Sequence, residues 1–226
     1  FGLLYNEITA SNLLKVDIDG NKLNPSPYPM LMAGFVVHRS IHMARHDANA
    51  VIHTHSKAGV AVSCQKQGLL PINLGSMNLH DKIAYYECQG VTNEAEESDD
   101  IARALGNKNV AVLRNHGLLA VGHTISEAFN NIYRLEKACQ SQLMAMSSNT
   151  KLHMPSDEVI AHSNKQLGTA PVPDAKGVVR RHGALALRMT ERGVTARYVE
   201  DGLGDRRWSP MAKPRTLATW PWFMRR

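Results

Sequence analysis

Cysteine is scarce in this chain. Cys64, Cys88 and Cys139 are the only three among 226 residues, and they show no paired spacing. That excludes a disulfide-stapled scaffold and points to a reduced, cytoplasmic setting. Each lies in an apolar or helical context and reads as a small core residue. Long hydrophobic runs are missing too. None approaches the roughly 18 residues of a membrane span, and no signal-peptide pattern opens the chain, so no membrane association is expected. No internal repeat and no nucleic-acid motif is present. The net charge of +6 does not replace that motif, because ten of the fifteen arginines lie between Arg180 and Arg226. Residues 1–176 hold 5 Arg and 10 Lys against 16 acidic residues and are close to neutral. A basic tail suits nucleic acid or anionic lipid, but without a motif neither is an expected partner.

What is present is enough for one sizeable core, with 43% hydrophobic residues. Residues 12–20 alternate and end in Asp-Gly, the pattern of a strand and turn. Residues 33–45 carry Phe35, Val36, Ile41 and Met43 near one side of a predicted helix. Residues 49–55 form a short β-branched run, the pattern of a buried strand. Residues 57–68 and 99–106 read as helices closed by glycine. Residues 109–117 and 118–122 read as two strands joined at His116-Gly117. Thr124 with Glu127 makes a capping box, and Ile125, Phe129, Ile132, Leu135, Cys139 and Leu143 follow at helical spacing. This mixed order fits an α/β fold of three layers, α/β/α, around a central, largely antiparallel mixed sheet. We divide the chain into a domain over 1–176 and an Arg-rich extension over 177–226. The opening at Phe1 reads as the middle of a domain, so N-terminal elements are expected to be missing. The extension reads either as native sequence or as the product of a shifted reading frame, and it carries no candidate site.

The chemistry concentrates in "VIHTHSKAG" at 51–59. Strand side chains alternate, so His53 and His55 point to one face, one pleat apart. Alone, such a pair is a weak signal that favours one core and one exposed histidine over a metal site. A second stretch, "LRNHGLL" at 113–119, puts His116 at the end of another apolar strand. Gly117 permits a bend that aims His116 sideways. If the two strand ends are neighbours, three neutral imidazoles converge, which leaves an open position of the kind found in catalytic Zn²⁺ sites. Such an ion would polarise a carbonyl or stabilise an enediolate.

"AVIHTHS", "LRNHGLLAVG" and "EAFNNIYRLEKACQSQL" together resemble the signatures of the class II aldolase/adducin head-domain family. The interval of 63 residues from His53 to His116 suits it. The likeness covers roughly residues 1–150. "GLLYNEITASNLLKVDIDG" and the stretch at 33–55 are most similar to the branch that holds adducin heads and bacterial relatives. The resemblance implies the three-layer fold, a homo-oligomer with the tetramer favoured, and Zn²⁺ or another divalent ion on His53, His55 and His116. It also exposes a departure. The position where the sugar-phosphate aldolases carry their acid/base glutamate falls on Gly34, and their phosphate-holding serines fall on Met32 and Ala33. The upstream phosphate loop of those aldolases is not in this chain.

Other residues are weighed against that gap. His38 and His42 lie four apart on the predicted helix, facing one way. His38, one turn after Gly34, is the candidate substitute base or supporting partner, since imidazole titrates near working pH. Tyr85 and Tyr86 are candidate donors to a substrate oxygen, and we select Tyr86. Asn115 is a candidate to orient the turn, Arg114 to bind an acidic substrate. Glu136 and Tyr133 are assigned to helix pairing or subunit contact. The expected function is a divalent-metal, class II aldolase-like lyase on a small hydroxy-carbonyl or hydroxy-acid compound. The alternative is a non-catalytic, adducin-like scaffold domain. A third reading is a damaged gene product that folds poorly.

Overall fold

The computed structural model describes residues 3–4, 7–87, 90, 95–168 and 221–222. Its helices are α1 (Met32–Ala44), α2 (Lys57–Ser63), α3 (Leu74–Met77), α4 (Ala95–Leu105), α5 (Ile125–Ser147) and α6 (Asp157–Gly168). Its strands are β1 (Ala50–Thr54), β2 (Ile83–Tyr86), β3 (Val110–Leu113), β4 (Gly117–Gly122) and β5 (Pro221–Trp222). They form one mixed sheet in the order β2-β3-β4-β1-β5. β4 runs antiparallel to both β1 and β3, while β2 is parallel to β3 and β5 parallel to β1. Apart from β5, the extension at 177–226 lies outside the described residues, as does Cys88.

Both sheet faces are covered, as near-continuous apolar strands require. One core joins Val51, Leu119, Val121, Leu113, Ala84 and Tyr86 to Val37 and Ile41 of α1 and to Ile101 and Leu105 of α4. The other joins Leu118, Ala120, Val110, Val112 and Ile83 to Val62 of α2 and to Ile132, Leu135 and Cys139 of α5. These are the three expected layers. Leu118, Leu119 and Leu135 are fully buried, each stabilising by about 1.5–3 kcal/mol relative to exposure.

Local signals held where they were self-contained. The Thr124 side chain caps α5 by accepting from Glu127 N at 3.1 Å. The Glu127 carboxylate reaches back to His123 N at 2.9 Å, one residue outside the expected box. Three expectations change. The stretch at 12–20 makes only a single bridge, Val16 to Lys22, because the Asp17 carboxylate gathers Asp19 N and Asn21 N into a tight turn. α2 stops at Ser63 rather than running to Gly68. There the fully buried Gln142 of α5 takes over the loop's backbone groups, donating to Gly68 O at 2.8 Å and accepting from Leu70 N at 2.6 Å. Met43 is half exposed, and Val37 and His38 fill the inner face of α1 instead. Among the described residues no helix is long and apolar enough to cross a membrane.

Candidate metal centre

β1 pairs with β4 so that His53 stands opposite Leu119 and Thr54 opposite Leu118. Leu119 faces the α1 side of the sheet, so His53 does as well. Its Nδ1 lies 2.9 Å from Leu118 O. A carbonyl only accepts, so Nδ1 carries the proton and Nε2 is left with its lone pair. That Nε2 meets His55 Nε2 at 2.8 Å. His55 lies one residue past the end of β1.

His116 arrives from the turn between β3 and β4. The sequence assigned the aiming bend to Gly117, but the residue in the left-handed region is Asn115, with φ 56°. Asn115 N is held by Ser63 O and His116 N by Leu113 O. Gly117 serves a different end. A Cβ there would come within 2.3 Å of Thr54 O and 3.1 Å of the His55 ring. The absent side chain is what lets the two strand ends approach.

The three rings form a near-regular triangle, with centroids 4.7–4.8 Å apart. Their candidate ligand atoms all lie within 4.8 Å of one another. Tetrahedral zinc with Zn–N bonds of about 2.0–2.1 Å separates its ligand nitrogens by about 3.4 Å, so small ring rotations suffice to seat an ion. The donor set fits in kind as well. Burial first, then the neighbouring His116 and His55 rings, pushes His53 down to about 3. Burial also lowers His55, and burial and His55 lower His116. Neutral imidazoles are the form that ligates, and a backbone carbonyl on the opposite nitrogen of His53 is the usual orienting partner.

The remaining candidates are placed as follows. His38 of α1 is 2% exposed, close enough to His53 to perturb it electrostatically, and its Nδ1 has no hydrogen-bond partner. Burial and then His42 push it down to about 3. His42 is only partly buried. Tyr86 is 6% exposed in the α1-side core, and its carbonyl accepts from Arg114 N. Tyr85 is on the other face, its hydroxyl accepting from Leu69 N at 3.1 Å. Arg114 is committed to the fold: it donates to Gln65 O at 2.7 Å and lies over the Tyr85 ring at 4.5 Å. Tyr133 stacks with Phe129. Cys139 is buried as expected, whereas Cys64 is exposed because α2 ends before it.

One partner escaped sequence reasoning. Glu136 of α5 was assigned to helix or subunit pairing. It is 8% exposed and accepts from the Ser56 hydroxyl, at the N-cap of α2, at 2.5 Å. The local signal was Ser56 itself, a helix N-cap directly after His-Thr-His. Nothing local pointed to a carboxylate 80 residues away.

Comparison with known proteins gives a consistent result. A Pseudomonas aeruginosa protein named as aldolase class 2 is 45% identical over 156 residues, which is 69% of this chain and 60% of that protein. Mouse alpha-adducin is 42% identical over 151 residues, 66% of this chain and 20% of its own length. This chain therefore spans less than two thirds of either relative. Among solved structures, an aldolase II superfamily protein from Pseudomonas syringae superposes with a TM-score of 0.76 at 43% identity, covering 87% of this chain and 78% of that one. The L-fuculose 1-phosphate aldolase of Glaciozyma antarctica superposes with a TM-score of 0.67 at 28% identity, covering 85% and 74%. The family model described as Class II Aldolase and Adducin N-terminal domain matches residues 1–143, and the chain belongs to that family.

Proposed function

We propose that the protein is a divalent-metal-dependent, class II aldolase-type lyase acting on a small hydroxy-carbonyl or hydroxy-acid compound. The observation that carries this reading is the closure of His53, His55 and His116 into one triangle of ligand atoms within 4.8 Å. Zn²⁺ is the ion we assign, since neutral nitrogen ligands suit it. When bound, the ion supplies Lewis acidity toward a substrate carbonyl. The protein supplies the rest. Leu118 O holds the proton on His53 Nδ1 and so keeps Nε2 directed at the centre. His38, buried and near enough to His53 to perturb it electrostatically, and Tyr86, buried on the face that carries His53, are assigned to holding the geometry of that face rather than to touching substrate.

Gly34 shapes the substrate class. A Cβ there would have only Leu31 Cδ2 near it, at 3.9 Å, and glycine itself offers no group to move a proton. With Met32 and Ala33 where phosphate-holding serines would stand, a small hydroxy-carbonyl or hydroxy-acid compound is the proposed class rather than a sugar phosphate. We further propose a homotetramer and, from the free Cys64 and Cys139, a cytoplasmic setting.

The likeness to alpha-adducin, together with Gly34, favours one second reading: a scaffold domain that keeps the fold without turnover. Metal analysis of wild type and His116→Ala tests the first step. Near-stoichiometric metal in wild type, largely lost in the variant, is expected, and equal metal in both refutes the triad. A panel of hydroxy-acids and aldol donors, read by aldehyde or pyruvate release, then tests turnover. A metal-loaded protein inert to the whole panel gives the scaffold reading the decision.

A further inference from the structure

We infer that Glu136 is the positioning residue of the histidine triangle, acting through Ser56 on the backbone that carries His55; this rests on the metal reading above. Three observations support it. The first is where the restraint falls. Thr54 is the last ladder residue of β1, locked opposite Leu118. His55 and Ser56 follow, and α2 begins at Lys57. His55 therefore has one restrained neighbour from the sheet, and Ser56 must supply the other.

The second is how Ser56 is held. Its hydroxyl accepts from Gly59 N at 3.3 Å, and its carbonyl accepts from Val60 N at 2.8 Å, as a helix N-cap should. The same hydroxyl donates to Glu136 Oε2 at 2.5 Å. One oxygen is thus fixed from two directions. A Cβ at Gly59 would approach that oxygen to 2.6 Å, so the glycine keeps the pocket open for it.

The third is the carboxylate itself. Glu136 is 8% exposed, and its other oxygen accepts from Gln140 Nε2 at 2.8 Å. Among the described residues no Lys or Arg lies within ion-pair distance of it. A buried carboxylate without a counter-ion is costly, and a leucine at this helix position would pack at less cost. What leucine cannot do is hold a hydroxyl on the loop that carries a metal ligand. α5 therefore acts as a rigid strut, and Glu136 is its point of attachment to the site.

The test uses the full chain and Co²⁺ as the probe, with affinity and visible absorption read together. Glu136→Ala and Ser56→Ala are each expected to weaken Co²⁺ about ten- to hundredfold and to alter its ligand-field bands. The double variant should be no weaker than the worse single one, because both remove the same bond. Glu136→Gln retains an acceptor for Ser56 and is expected to bind within about threefold of wild type. If Glu136→Ala fails to fold, Ser56→Ala and Glu136→Gln decide the matter alone. Wild-type affinity and spectrum in either alanine variant overturns the inference, as does a Glu136→Gln as weak as Glu136→Ala. Failure of the triad reading looks different, since wild type itself would then bind no Co²⁺.

Discussion

One substitution made at two glycines should have opposite outcomes, and the difference tests how the site is assembled. At Gly117 an added Cβ would meet Thr54 O at 2.3 Å and His55 Cδ2 at 3.1 Å. The first is a clash with backbone inside the β1–β4 ladder, which no side-chain rotation relieves. The strand ends must separate by about 1 Å, and overpacking of this kind costs about 1–3 kcal/mol. For a chain of this size that lowers Tm by roughly 2–12 °C. The same shift moves His55 and His116 apart, so metal affinity should fall along with stability. At Gly34, inside α1, the nearest atom to an added Cβ is 3.9 Å away and φ is not in the left-handed region. Alanine there only gains helix propensity, worth about 0.5–1 kcal/mol. Gly34→Ala should therefore raise Tm slightly and leave metal content unchanged. Differential scanning calorimetry and metal analysis of both variants check this. A Gly117→Ala protein with wild-type Tm and wild-type metal would refute the claim that close approach of these strand ends builds the site.

Further outcomes follow from the same geometry. In metal-stripped protein His38 and His53 sit near a pKa of about 3, below the ordinary value of 6.5, so the unfolded chain binds more protons between those values. Their contribution is therefore complete above about pH 6.5 and falls as pH drops, by about 2 kcal/mol per ring at about pH 5; urea unfolding across this range checks it, and a flat profile contradicts it. Thiol labelling of folded protein should modify Cys64 quickly and spare Cys139, which is fully buried and pushed up to about 12 mainly by burial; equal rates would mean that α5 does not pack as described. Removal of metal by a chelator should lower the Tm of wild type but not of His116→Ala, since an ion bound only to the folded state stabilises only a protein that holds it.

The sequence by itself determined the elements whose causes are local. A β-branched run produced β1, helical spacing and Thr124 produced α5, and glycine punctuation ended α4. Those elements sufficed to name the layers, and the histidine spacing sufficed to nominate His53, His55 and His116. What the sequence could not decide was whether the rings meet. That depends on the register pairing His53 with Leu119 and on the left-handed turn at Asn115, and both are settled by packing far along the chain. Gly117 was singled out for the wrong reason, because its need arises from Thr54 O across the sheet and not from its own dihedral. Glu136 was likewise invisible as a partner of Ser56, since helical periodicity reports which face a residue occupies but not what stands opposite it. Contacts between residues 60 to 80 positions apart are decided by how the layers close, and only tertiary structure contains that information.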